Sequence, residues 1–96
     1  MTVECWRLTV RGKVQGVSYR AATQDKARQL GLTGWVANRQ DGGVEIVAEG
    51  DPQMLQALRD WCYEGPVAAE VDDVKREVER QNAKYRDFSI MSDLRV

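Results

Sequence analysis

The dipeptide Asp41-Gly42 lies between two short, largely apolar runs, Gly34-Trp35-Val36-Ala37-Asn38 and Val44-Glu45-Ile46-Val47-Ala48-Glu49. Asp-Gly tolerates the positive φ of a tight reversal, so the two runs are expected to pair as an antiparallel hairpin. An isolated hairpin is marginal in water and must be completed by further strands or by helices. In a chain of 96 residues, the size of a single domain, that requirement limits the available folds more than any other.

The completing elements stand on both sides of the hairpin. Upstream, Trp6, Leu8 and Val10 alternate with Cys5, Arg7 and Thr9, the period of a half-buried strand, which is expected to end at Gly12. Tyr19, Thr23, Ala27 and Leu30 then recur at helical spacing, with Gly31 placed as a C-terminal cap. Downstream, Asp51-Pro52 opens a second helix whose stripe is read as Met54, Leu58 and Trp61, ending before Gly65-Pro66. From Val67 an alternation through Ala69 and Val71 slips phase at Asp72-Asp73 to reach Val74 and Val78, which predicts a strand with a bulge there. Lys75, Arg76 and Arg80 among Glu77 and Glu79 read as a solvated sheet edge. Tyr85 to Met91 carries Phe88 and Ile90 on one face as a last short strand, and residues 92–96 read as a loose tail.

The order is βαββαβ with a terminal addition, and the expected fold is an α+β, ferredoxin-like sandwich in one domain spanning residues 1–96. Both helices should cover the sheet face bearing Trp6, Leu8, Val10, Val44 and Ile46, leaving the other face to solvent. Cys5 and Cys62 then lie on opposite sides of the sheet and are expected to be free thiols.

Composition removes several kinds of function. With no histidine, Ser-His-Asp and Cys-His pairs and histidine zinc sites are excluded. Fourteen basic against fifteen acidic residues give a net charge of −1, without the basic excess of a phosphate-backbone binder, and the aromatic strand pattern of RNA-binding modules is absent. No nucleic-acid partner is expected. No apolar run approaches the ~20 residues of a membrane span, so no membrane partner is expected either. The start Met1-Thr2-Val3-Glu4 lacks a signal-peptide pattern and the cysteines lack a C-x-x-C spacing, which together point to a cytoplasmic protein. Asp72-Asp73 has no accompanying ligand cluster, and neither metal nor cofactor is expected.

The segment Gly12-Lys13-Val14-Gln15-Gly16-Val17-Ser18-Tyr19-Arg20 joins the first strand to the first helix. Its glycines let successive N–H groups turn toward one point, and the helix N-terminus adds partial positive charge. Arg20 offers a planar fork of donors, yet a cation at a helix start is unfavourable unless an anion sits beside it. Read alone, the loop serves either the turn or a phosphate-like anion, and Asn38 reads as a turn residue near the hairpin.

Three blocks, Val14-Gln15-Gly16-Val17-Ser18-Tyr19-Arg20, Leu30-Gly31-Leu32-Thr33-Gly34-Trp35-Val36-Ala37-Asn38 and Asp41-Gly42-Gly43-Val44-Glu45, resemble the acylphosphatase family in order and spacing. The similarity is dense from Val10 to Gly50 and collinear afterwards through Pro66 and Phe88-Ser89-Ile90. The resemblance implies a ferredoxin-like sandwich and hydrolysis of a small acyl phosphate to carboxylate and inorganic phosphate. It implies that the loop Gln15, Gly16, Val17, Ser18, Tyr19 and Arg20 binds the phosphoryl group through backbone N–H groups. Arg20 is implied to clamp that group, and Asn38 to position the attacking water. Such chemistry needs mainly in-line orientation and stabilisation of phosphoryl charge, without metal or cofactor. The implied partner is a small-molecule acyl phosphate and the expected state a monomer.

Two positions depart from the family pattern. Tyr19 stands where the family usually has phenylalanine, so its hydroxyl must find a partner or water. The C-terminus continues past Ile90 through Met91 and Ser92 to Val96, which puts the family's C-terminal contact to the loop in doubt. A phosphate-binding module without turnover is the alternative these departures raise. The family pattern also occurs as one domain of larger carbamoyl-transfer proteins of hydrogenase maturation; at 96 residues a free-standing domain is expected here.

Overall fold

The alternation around Trp6, Leu8 and Val10 becomes β1 (Glu4–Lys13), the first element of a computed structural model that describes residues 2–80 and 85–93. It is followed by α1 (Tyr19–Gln29), β2 (Thr33–Asn38), β3 (Val44–Gly50), α2 (Pro52–Glu64), β4 (Glu70–Glu79) and β5 (Phe88–Ile90). The strands form one sheet in the order β4-β1-β3-β2-β5, antiparallel except where β5 runs parallel to β2. Because β1 and β2 both run antiparallel to the intervening β3, their C-terminal ends emerge at the same end of the sheet. The β1–α1 loop and the β2–β3 hairpin are thereby brought together.

Trp6, Leu8, Val10, Val36, Val44, Ile46 and Phe88 from the sheet form one buried cluster with Tyr19 and Ala27 of α1 and Leu55, Leu58 and Cys62 of α2. Both helices therefore cover the expected face. α2 begins as its sequence indicates: the Asp51 carboxylate accepts from the Gln53 N–H at 2.8 Å, and Pro52 takes the first helical position. Its buried ridge is Leu55, Leu58 and Cys62 rather than Met54, Leu58 and Trp61; Met54 and Trp61 are partly buried at the flank, where Trp61 tilts against the Tyr19 ring with centroids 5.6 Å apart. Cys62 is a small apolar residue in the core, and the bulkier tryptophan is left to cover the edge.

Further differences are local. β1 continues to Lys13, and β4 starts at Glu70, leaving Val67 exposed in the preceding turn. The phase slip in β4 is a bulge: Arg11 faces Asp73 and Gly12 faces Val71, so Asp72 is the extra residue. The hairpin is longer than a two-residue turn. Arg39 N–H donates to Gly43 O at 2.8 Å and Gly42 N–H to Arg39 O at 3.3 Å. Gly42, at φ 95°, thus takes the left-handed third position of the loop.

The face away from the helices is not open to solvent as expected. Glu45, Val47 and Glu49 of β3 are buried there although neither α1 nor α2 covers them. The long side chains of the flanking strands lie across β3 instead: Arg7 sits 5.9 Å from the centre of the Trp35 ring and pairs with both Glu45 and Glu79, and Arg39 pairs with Glu45. Both cysteines are free and buried, Cys5 beneath this layer and Cys62 in the core. Burial and the nearby Glu49 carboxylate push the Cys5 thiol up, and burial pushes the Cys62 thiol up to about 12.

Candidate active site

The β1–α1 loop is pinned at its start by buried Val14 and in its middle by Val17, which packs partly against the core. Between them Gly16 is exposed at φ 74°, and Ser18 adopts φ 64°, the only positive φ of a non-glycine residue among the described residues. Left-handed residues alternating with ordinary ones curl the backbone so that successive N–H groups face one concavity. A non-glycine residue in that region is strained, and such strain concentrates at functional sites. Ser18 is also the residue preceding α1, yet its side chain does not cap the helix, and the first turn contains no acidic residue. The first-turn amides have no intrahelical carbonyl to bond, and the positive end of the helix points into the loop without a compensating acid of its own.

Arg20 lies in this first turn. Its Nη1 donates to Asp93 Oδ1 at 3.3 Å and to the Met91 carbonyl at 3.5 Å, and its side chain remains about a third exposed (35%). The carboxylate of Asp93 supplies the anion that a cation at a helix start calls for. The C-terminal segment therefore does reach the loop, through Asp93 within the stretch read as a tail; residues 94–96 lie outside the described residues.

Asn38, half-buried, is the last residue of β2 and pairs with Val44 at the mouth of the hairpin. It shares with Val14, Gly16, Ser18, Tyr19, Arg20, Ala21 and Ile90 the lining of a cleft of about 220 Å³. Of the loop residues singled out in the sequence, Gly16, Ser18, Tyr19 and Arg20 line this cleft, together with Asn38, whereas Gln15 and Val17 do not. Gln15 is turned toward the hairpin and Val17 toward the core. In the sequence Ile90 reads only as a strand residue on the face of Phe88. The alternation that buries Phe88 carries Ile90, 42% exposed, to the edge of the cleft at the end of β5.

The hydroxyl of Tyr19 has found its partner. It donates to the carbonyl of Cys62 at 2.7 Å in a fully buried position, which links the start of α1 to the last turn of α2. Burial raises the phenol far above its ordinary value, and the neighbouring Cys62 side chain adds to the shift, so Tyr19 stays a neutral donor. The departure at this position is thus absorbed inside the fold beneath the loop.

The family model for acylphosphatase matches residues 6–90 of this chain. The chain belongs to the acylphosphatase family. It is 57% identical over 88 residues to an acylphosphatase from Marinobacter nauticus, covering 92% of this chain and 96% of the relative. Among solved structures, an acylphosphatase from Coxiella burnetii superposes with a TM-score of 0.89 at 42% identity, covering 93% of each chain. The acylphosphatase from Bacillus subtilis superposes with a TM-score of 0.88 at 37% identity, over 94% of this chain and 99% of that one. The architecture is the ferredoxin-like α+β sandwich of acylphosphatases, and the protein is a hydrolase of acyl phosphates, a small-substrate enzyme. Among the described residues no helix is long and apolar enough to cross a membrane.

Proposed function

We propose that the cleft between the β1–α1 loop and the end of β2 is where the acyl phosphate is hydrolysed, by in-line attack of water at phosphorus. The reading rests on one observation: a left-handed loop, an uncapped helix N-terminus, Arg20 and Asn38, contributed by three different elements, line the same cleft. The loop amides from Gly16 to Arg20 and the Arg20 guanidinium hold the equatorial phosphoryl oxygens, whose charge grows in the transition state. Asp93 and the Met91 carbonyl hold Arg20 from the side. The Asn38 carboxamide accepts from a water and donates elsewhere without changing charge, which orients the water without a tuned base. An acyl phosphate already carries a good leaving group, so the proton of the water passes to a phosphate oxygen of the substrate itself. The P–O bond to the acyl oxygen breaks, giving carboxylate and inorganic phosphate. A water occupies ~30 Å³ of liquid volume, so the cleft holds a phosphoryl group with its attacking water.

In this reading the enzyme works without metal or cofactor, as a monomeric single domain in the cytoplasm, with no nucleic acid as partner. The test is phosphate release from a simple acyl phosphate with chelator present, in wild type, Asn38→Ala and Arg20→Ala. Loss of the charge-stabilising Arg20 or of the water-orienting Asn38 is expected to lower kcat by ~10²–10³-fold. Arg20→Lys is expected to be impaired as well, since an ammonium lacks the planar fork. Full turnover in both alanine variants, or ¹⁸O from labelled water in the carboxylate instead of the phosphate, would defeat the reading.

A further inference from the structure

Gln15 opens the loop but its side chain leaves the cleft. Its Nε2 donates to the Arg39 carbonyl at 2.7 Å and to the Gly43 carbonyl at 2.8 Å. Both partners are pure acceptors, so the NH₂ end of the amide must face them, and both of its hydrogens are used. These two carbonyls sit at the mouth of the hairpin, one residue beyond the Asn38–Val44 pair. Gly43 O also accepts from Arg39 N–H at 2.8 Å, so the bonds of Gln15 close over the last rung beyond Asn38. The far side of the hairpin is braced separately: Gly43 N–H donates to Asp41 Oδ1 at 3.0 Å, and the Arg39 guanidinium pairs with Asp41 and Glu45. Among the hydrogen bonds of the described residues, those of Gln15 join the loop to the hairpin.

We propose that Gln15 is a positioning residue for the hydrolysis. Its carboxamide fastens the end of β2 that carries Asn38 to the loop that holds the phosphoryl group. The loop sets the position of phosphorus, and Asn38 sets the position of the water. In-line attack depends on the distance and angle between the two, and a misplacement of ~1 Å costs ~10²-fold in rate. No other side chain of similar length offers two hydrogens in one plane without charge: glutamate presents oxygens to two carbonyls, and methionine fills the space without donating. The proposal rests on the role given above to Asn38.

The experiment uses the full chain, acetyl phosphate as substrate and inorganic phosphate as the competing ligand, in wild type, Gln15→Met, Gln15→Glu, Asn38→Ala and Gln15→Met with Asn38→Ala. Gln15→Met is expected to lower kcat by ~10- to 100-fold, because water and phosphorus lose their register, while the dissociation constant for phosphate is unchanged. Adding Gln15→Met to Asn38→Ala is expected to lower kcat by less than about twofold more, since the two residues act on one step. Gln15→Glu is expected to regain part of its kcat, relative to wild type at the same pH, as the pH falls through the carboxyl range and the acid gains an O–H to donate. That recovery reads the clamp even where Gln15→Met folds poorly. The proposal is overturned if Gln15→Met keeps wild-type kcat, if kcat and phosphate affinity fall together, or if the two substitutions multiply. Loss of turnover in Asn38→Ala beside an active Gln15→Met removes the clamp alone; an active Asn38→Ala removes the role of Asn38 and the clamp with it.

Discussion

The two faces of the sheet are closed by opposite means. On one, Leu8, Val10, Val36, Val44, Ile46 and Phe88 are sealed completely by two helices. On the other, Glu45, Val47 and Glu49 are nearly as buried, with neither α1 nor α2 above them. There Arg7 and Arg39 pair with Glu45 of the central strand, Arg7 sits beside the Trp35 ring, and ion pairs run from Glu79 through Arg7, Glu45 and Arg39 to Asp41, where Arg11 joins at 3.0 Å. The difference teaches that burial does not require an opposing element. The stems of long charged side chains exclude water from a central strand while their heads pair with one another. The energetics differ accordingly: apolar burial scales with the area removed from water, whereas ion pairs that keep partial contact with solvent are screened and contribute less each.

Phe88→Ala tests the helix-covered face most severely, since it opens a cavity at a fully buried position. Denaturant unfolding is expected to show a loss of about 3–5 kcal/mol, insensitive to salt. The ionic face predicts a smaller, salt-dependent number. Glu45→Ala leaves the Arg7 and Arg39 guanidinium groups facing each other, and a loss of about 1–3 kcal/mol is expected, shrinking as salt is raised. A loss equal to that of Phe88→Ala, or one that salt does not touch, would erase the distinction between the faces.

Tyr19→Phe sharpens the comparison from within the apolar layer, where a polar bond must be satisfied without water. Removing the hydroxyl strands the buried Cys62 carbonyl, with an expected loss of about 1 kcal/mol by the same unfolding measurement. The smallest effect belongs to Asp41, at the hairpin end of the ionic face. The Gly43 N–H first, and Arg11 next, hold its carboxyl down at about 2 from an ordinary 3.8. A carboxyl lowered by folding stabilises the native state above its unfolded pKa and loses that contribution as the pH falls through the folded one. The stability advantage of wild type over Asp41→Asn is therefore expected above about pH 4, fading as the pH approaches about 2. A constant difference across that window would show that the group does not titrate as its contacts require.

The covered face was the more legible of the two because period-two alternation in β1 and the helical stripe of α1 name their buried residues directly: Trp6, Leu8, Val10, Tyr19, Thr23 and Ala27 are all buried where the pattern places them. The stripe of α2 misled, because the large apolar area of tryptophan drew the pattern through Trp61 while the core took the smaller Cys62. The ionic face was illegible because the partners stand far apart in sequence: Arg7 and Glu79 are 72 positions apart, and no local period announces such a pair. The candidate site divides in the same way. Glycine spacing and a helix start marked the loop around Gly16 and Arg20. Asn38 came from the family resemblance, since by itself it reads as a turn residue, and the inward turn of Gln15 and the reach of Asp93 to Arg20 were invisible.

By itself, the sequence determined the order of elements, the helix starts and the core of the covered face apart from the ridge of α2, because these depend on backbone preferences and on periods a few residues long. Tertiary structure decided the rest: which charges close the second face, that Gln15 braces the hairpin instead of facing the cleft, and that Asp93 reaches Arg20. Those choices depend on the register of strands and the reach of side chains across long sequence separations. They exist only once the chain has closed on itself.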